Sequence, residues 1–153
     1  MFRYPSLRWS RFSEVSEMLT PEERLERLEK VFQELEELSD SIPIIVEGLR
    51  DRNALRRLGI TKNIHPLNKG KSVFGFCEDM SRRTKKAVIL TDWDRRGGQL
   101  ARMLKDGLEA NGVQVNDEIR KQIVLLSKKE VKDMESVPTF IDRLKAMAIT
   151  QRC

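Results

Sequence analysis

Apolar and polar positions change rhythm along the chain, and each change marks an element. The first rhythm is helical. In "TPEERLERLEKVFQELEELSD", Leu25, Leu28, Phe32, Leu35 and Leu38 recur every three or four residues. That spacing stacks them on one face of an α-helix and leaves the acids on the others. The start is encoded locally. Thr20 is a good N-cap, Pro21 suits the first helical position and Glu23 completes a capping box. The stripe can dock on the rest of the chain, or form a seam with a second copy or a protein partner through the 21–38 helix. It is too short for a long coiled coil.

From residue 41 short apolar runs alternate with helical patterns. "IPIIVEG" (Ile42–Gly48) reads as a strand ending on an acid. "RDRNALRRLGI" reads as a helix closed by Gly59, and "ITKNIHPL" as a second strand. After the turn "NKGKS", "VFGFCEDMSRRT" reads as a helix with Val73, Phe76, Cys77 and Met80 on one face. Ala87–Thr91 is the third strand. "GGQLARMLKDGLEANG" follows as a helix with the stripe Leu100, Met103, Leu104 and Leu108. Val113–Val115 is a weaker fourth strand, and the chain from Asp117 onward is mostly helical, broken near Pro138. This alternation predicts an α/β fold: a roughly four-stranded parallel sheet flanked by helices, with an N-terminal helix and a helical C-terminal segment. It divides the chain into an arm plus amphipathic helix (1–40), an α/β domain (41–125) and a helical extension packed on that domain (126–153).

Composition narrows the class. With 153 residues, 39% hydrophobic and 35% charged, the chain suits one domain with a lean core. No apolar run approaches the roughly 20 residues of a membrane helix. The opening "MFRYPSLRWSRF" is too polar for a secretory signal. The expectation is a soluble, cytoplasmic protein. Two cysteines, Cys77 and Cys153, and one histidine, His65, suggest neither a disulfide framework nor a zinc site. The net charge of +5 is uneven: +3 over residues 1–13, −7 over 14–40 and +9 over 41–153. A basic main region favours polyanions, nucleic acid first, although ordinary solvated lysine and arginine give the same count. In the arm, Phe2, Tyr4, Trp9 and Phe12 interleave with Arg3, Arg8 and Arg11; they can stack on bases or pack back on the domain.

The chemistry concentrates in "VILTDWDRRGG" (Val88–Gly98), where an apolar strand ends on two acids. Residues i and i+2 of an extended segment point the same way, so Asp92 and Asp94 can face one point with Trp93 turned away into packing. Two carboxylates about 4 Å apart repel by roughly 4 kcal/mol at an effective dielectric near 20, so something must offset them. If the first and third strands are neighbours, Glu47 joins them. Three carboxylates then make a hard oxygen site suited to Mg²⁺ or Mn²⁺, which also bind substrate phosphates. Arg95 and Arg96 lie beside such a phosphodiester, and Gly97 and Gly98 let backbone N–H groups approach it at the helix N-terminus. The plainer alternative makes Asp92 and Asp94 turn and cap residues. "NKGKS" echoes the end of a phosphate-binding loop, but His65 stands where that pattern needs glycine. Lys69 and Lys71 either reach a nucleic-acid phosphate or belong to a solvated turn.

"IIVEGLRDRNAL" followed by "AVILTDWDRRGGQLA" resembles the Toprim domain shared by topoisomerases, bacterial primases, ribosomal-RNA maturation nucleases and overcoming-lysogenization-defect nucleases. The chain length and "TDWDRRG" are similar to small stand-alone Toprim proteins common in archaea. The resemblance covers residues 41–125 and implies the Rossmann-like Toprim fold. It implies Glu47 as general acid/base and metal ligand, with Asp92 and Asp94 holding one or two Mg²⁺. Asp51 needs no such role, since an acid in the first turn of a helix faces its dipole. Topoisomerase chemistry requires a nucleophilic tyrosine, and the single tyrosine is Tyr4. Primases of this type carry a zinc module that this chain lacks. A haloacid-dehalogenase-type phosphatase places D-x-D after its first strand, not its third, and a receiver-like domain wants an acidic pair where Glu47 stands alone. The expectation is therefore Mg²⁺-dependent, nuclease-like phosphodiester chemistry on DNA or RNA. The alternatives are a non-catalytic metal- and nucleic-acid-binding module in a larger DNA topology, repair or RNA-processing complex, and a structural role through the leucine stripe.

Overall fold

The computed structural model describes residues 18–67 and 70–152, the last two by backbone alone. The arm of residues 1–13, Lys69 and Cys153 lie outside the described residues. The elements run α1 (Pro21–Leu38), β1 (Ile44–Val46), α2 (Leu49–Arg57), β2 (Ile64–Pro66), α3 (Val73–Ser81), β3 (Lys86–Ile89), α4 (Arg95–Ala110), β4 (Gln114–Asn116), α5 (Glu118–Ser127) and α6 (Val137–Arg152). The fold is α/β, as the alternation predicts. One sheet of order β2-β1-β3-β4 is parallel throughout. Ile44 lies level with Ile64 on one side and Val88 on the other, and Lys86 lies level with Gln114.

Local signals start and stop the helices where the sequence places them. Thr20 Oγ1 accepts the Glu23 N–H at 3.0 Å, and Glu23 Oε1 accepts the Thr20 N–H at 3.4 Å. Past α2 the chain turns at Gly59, whose φ of +91° suits glycine. Both faces of the sheet are covered, so its central strands β1 and β3 read as near-continuous apolar runs, not as alternating ones. Ile44, Val46, Val88 and Leu90 face a core completed by Leu28, Phe32 and Leu35 of α1, Leu55 of α2, Ile119 and Ile123 of α5, and Phe140 and Leu144 of α6. Ile45, Ala87 and Ile89 face the other core, with Cys77 and Met80 of α3 and Leu104 and Leu108 of α4. The leucine stripe of α1 is thus buried within the chain itself.

Two details differ from the pattern. Met103 belongs to the expected α4 stripe but is 55% exposed, because Leu100, Leu104 and Leu108 already fill the contact line. The C-terminal helical stretch breaks over residues 128–136, ahead of Pro138, which sits in the first turn of α6. A proline there loses no helical hydrogen bond, since first-turn N–H groups have no partner within the helix. Among the described residues no helix is long and apolar enough to cross a membrane.

The strand order decides where a ligand can sit. From β1 the chain crosses to β2 on one side, and from β3 to β4 on the other. The crevice where the order reverses opens at the carboxyl ends of β1 and β3.

Candidate metal centre

Glu47 follows β1 directly, and Asp92 lies three residues beyond the end of β3. The parallel pairing of these strands brings the two side chains to the same crevice. The third acid comes from the first turn of α2. One carboxylate oxygen each from Glu47, Asp51 and Asp92 lie within 4.8 Å of one another. Asp51 is only 7% exposed, and its Oδ2 accepts the Gly48 N–H at 3.0 Å. Asp92 Oδ1 accepts the Met134 N–H at 3.0 Å, 42 residues away in sequence. Glu47 Oε1 is buried and accepts no hydrogen bond among the described residues.

The electrostatics follow from this crowding. The Glu47 carboxyl is pushed up to about 8, first by burial. A hydrogen bond to Asp92, open only to the protonated acid, and the charges of Asp92, Asp51 and Asp94 push in the same direction. Asp51 is raised to about 6 by burial and by Asp92, with the Gly48 N–H opposing. Arg120 of α5 supplies positive charge near the cluster. Its Nε donates to the Thr91 carbonyl at 2.9 Å and its Nη2 to the Asp92 carbonyl at 2.7 Å. Burial lowers its pKa, while the charges of Asp117, Glu47, Asp92 and Asp94 act to raise it. The donor set fits a hard divalent cation. All three donors are carboxylate oxygens, and Glu47 Oε1 has no hydrogen-bond partner among the described residues.

The pair Asp92 and Asp94 divides. Asp92 enters the cluster, whereas Asp94 is exposed and caps α4, its Oδ1 accepting the Gly97 N–H at 2.7 Å. Asp94 still lies close enough for its charge to raise Glu47. Asp51, read from the sequence as a dipole partner, stands in the third position of the cluster. Arg95 and Arg96 are exposed in the first turn of α4. The Gly97 N–H is occupied by the Asp94 cap. A Cβ on Gly97 would run into the Asp92 carbonyl oxygen, so glycine lets α4 close against the turn. Lys71 pairs with Asp79 of α3. His65 Nε2 lies 2.8 Å from Asn63 Oδ1. Trp93 is half-buried against the core that contains α1 and α6. Arg120 and the Met134 N–H carry no motif of their own; only their distance from the turn in the fold reveals them.

No family model matches the chain. A UPF0292 protein of Methanosarcina barkeri is 45% identical over 123 residues, covering 80% of this chain and 85% of the relative. The UPF0292 protein of Methanocaldococcus jannaschii is 32% identical over 122 residues, 80% of this chain and 95% of the relative. A solved structure of a protein from Aquifex aeolicus superposes with a TM-score of 0.60 at 27% identity, covering 70% of this chain and 94% of that one. The relatives carry the UPF0292 name and none carries the Toprim name, which corrects the family resemblance drawn from the motifs. The physical reason is that E-G and D-x-D are short. Any parallel α/β sheet gathers polar residues at its carboxyl edge, whatever its family.

Proposed function

Since the chain belongs to the UPF0292 family, we propose, from the chemistry of its site, that it performs Mg²⁺-dependent phosphodiester chemistry on DNA or RNA, of the hydrolytic, nuclease-like kind. The supporting observation is the convergence of Glu47, Asp51 and Asp92 from three elements onto one partly buried point at the switch of strand order. Mg²⁺ or Mn²⁺ held by these carboxylates would offset their repulsion, neutralise charge on a phosphodiester and activate a water. Glu47 is the acid/base of the reading, since its carboxylate stands at the point where Asp51 and Asp92 converge, beside the reacting phosphodiester of this proposal. Arg95 and Arg96, exposed at the start of α4, pair with nucleic-acid phosphates, with Lys71 as a more distant contact. The cytoplasmic setting expected from the composition belongs to the same proposal.

A second reading uses the same residues without turnover, as a metal- and nucleic-acid-binding module in a larger assembly. It is favoured by Asp94, whose use as a helix cap leaves one acid fewer for chemistry. Incubation with supercoiled DNA and with structured RNA, with and without Mg²⁺, separates the two. Mg²⁺-dependent cleavage is expected, falling about 10³-fold or more in Glu47→Gln with Asp92→Asn. Metal-dependent binding without cleavage selects the module. Cleavage that survives the double substitution removes these residues from catalysis.

A further inference from the structure

Trp93 stands between the two acids of the β3–α4 turn and is tied to a distant part of the chain. Its Nε1–H donates to the Val131 carbonyl at 2.7 Å, and its backbone N–H donates to the Lys132 carbonyl at 2.9 Å. Both acceptors lie in the strap of residues 128–136 that joins α5 to α6. Two residues further on, the Met134 N–H donates to Asp92 Oδ1. These bonds close a ring. The turn holds the strap through Trp93, and the strap holds the Asp92 carboxylate through Met134.

We propose that Trp93 is a positioning residue of the metal centre, acting through the strap to fix the Asp92 carboxylate for cation binding. The inference rests on the metal reading of Glu47, Asp51 and Asp92. The strap is a firm support. Val131 and Met134 bury their side chains in the main core, the Val131 N–H donates to the Ser127 carbonyl at 2.9 Å, and the Ser136 N–H donates to Asp133 Oδ1 at 2.8 Å. The Met134 N–H is therefore a fixed donor. An indole N–H can only donate, so the Val131 carbonyl sets the ring orientation and the ring sets the height of the strap against the turn. Arg120 holds the Asp92 carbonyl from the other side. Backbone and carboxylate of Asp92 are thus gripped separately, one by α5 and one by the strap. Outer contacts of this kind orient ligating carboxylates and set metal affinity.

The test is Trp93→Phe, which keeps an aromatic ring and removes the N–H. Leu126→Ala serves as a control that weakens the same core and removes none of the hydrogen bonds of the ring. Free Mn²⁺ is followed by electron paramagnetic resonance during titration, alongside amide exchange over residues 131–134 and thermal melting. Trp93→Phe is expected to weaken Mn²⁺ binding about tenfold and to speed exchange at Met134, while Leu126→Ala lowers the melting temperature and leaves Mn²⁺ affinity unchanged. Mn²⁺ affinity within twofold of the parent in Trp93→Phe overturns the inference. So does an equal loss in Leu126→Ala, which would make the effect one of stability. Should phenylalanine prevent folding, 3-benzothienylalanine at position 93 removes the N–H alone and is read in the same way. Absence of Mn²⁺ binding by the parent chain overturns the metal reading and this inference with it; the Trp93→Phe result alone leaves the metal reading standing.

Discussion

Two regions of this chain are crowded with carboxylates, and they are built in opposite ways. Helix α1 carries Glu22, Glu23, Glu26, Glu29, Glu34, Glu36 and Glu37 within a few turns, all of them exposed. The carboxyl edge of the sheet carries three acids, Glu47, Asp51 and Asp92, supplied by three separate elements and held within 4.8 Å of one another. On α1 the helix itself spreads the charges into water, and an ordinary surface pair such as Lys30 with Glu26 at 3.7 Å is worth little. At the sheet edge the fold concentrates charge where water is scarce, and Glu47 responds by holding its proton up to about 8. Charge density along the sequence is highest where it does least. What makes a candidate site is convergence from remote positions together with burial.

The sharpest way to break that contrast is to remove one acid from each region and measure cation affinity. Asp51→Asn keeps an oxygen for the Gly48 N–H but removes the charge from the cluster. By calorimetric titration it should weaken Mn²⁺ binding about 100-fold, roughly 2.7 kcal/mol. Glu29→Gln with Glu36→Gln on α1 should change it by less than about twofold. If Asp51→Asn binds Mn²⁺ as well as the parent, the sheet edge is only another solvated acidic surface.

A smaller effect concerns pH. The folded values of about 8 for Glu47 and about 6 for Asp51 lie above their ordinary 4.5 and 3.8. The folded protein therefore holds these protons more tightly than the unfolded chain does. Their contribution to stability is complete below the ordinary values, and it is lost as pH rises through about 6 and then about 8. Without divalent cation, melting temperature should fall between pH 5 and pH 8. Glu47→Gln cannot ionise and should be more stable than the parent at pH 8, by on the order of 1–2 kcal/mol after allowance for solvent screening. Mg²⁺ should restore the parent more than the variant. A parent curve that coincides with that of Glu47→Gln across this range would show that the cluster carries no strain.

The sequence made the outline of the site readable and hid its supports. Glu47 and Asp92 stand out because each ends an apolar run, and parallel sheets expose such ends along one edge. Their meeting required β1 to lie beside β3, which hydrophobic pattern alone leaves open and the strand order supplies. Asp51 was visible as an acid four residues after Glu47, but a first-turn acid has an ordinary role and gives no hint of a ligand. Arg120 and the strap act on backbone carbonyls or through a backbone N–H, across 28 to 42 residues of sequence. Such contacts leave no side-chain pattern to read. Met103 shows the same limit in the fold: helical spacing places it near the stripe, and only packing decides that Leu104 takes the buried position.

The smallest expected effect is confined to the D-x-D turn, where two acids separated by one residue belong to different structures. Asp94 Oδ1 accepts the Gly97 N–H at 2.7 Å as the N-cap of α4, and its side chain is exposed. Asp94→Ala removes that acceptor and should cost about 1 kcal/mol in denaturant unfolding. Asp94→Asn keeps the cap and loses only the charge facing the helix dipole, so it should cost about 0.5 kcal/mol. Mn²⁺ affinity in Asp94→Asn should stay within about threefold of the parent, since a charge outside the cluster acts on the cation through solvent. A loss as large as that of Asp51→Asn would extend the cluster to Asp94. The turn would then bind cation with both of its acids, and the cap would be a resting contact that the cation displaces.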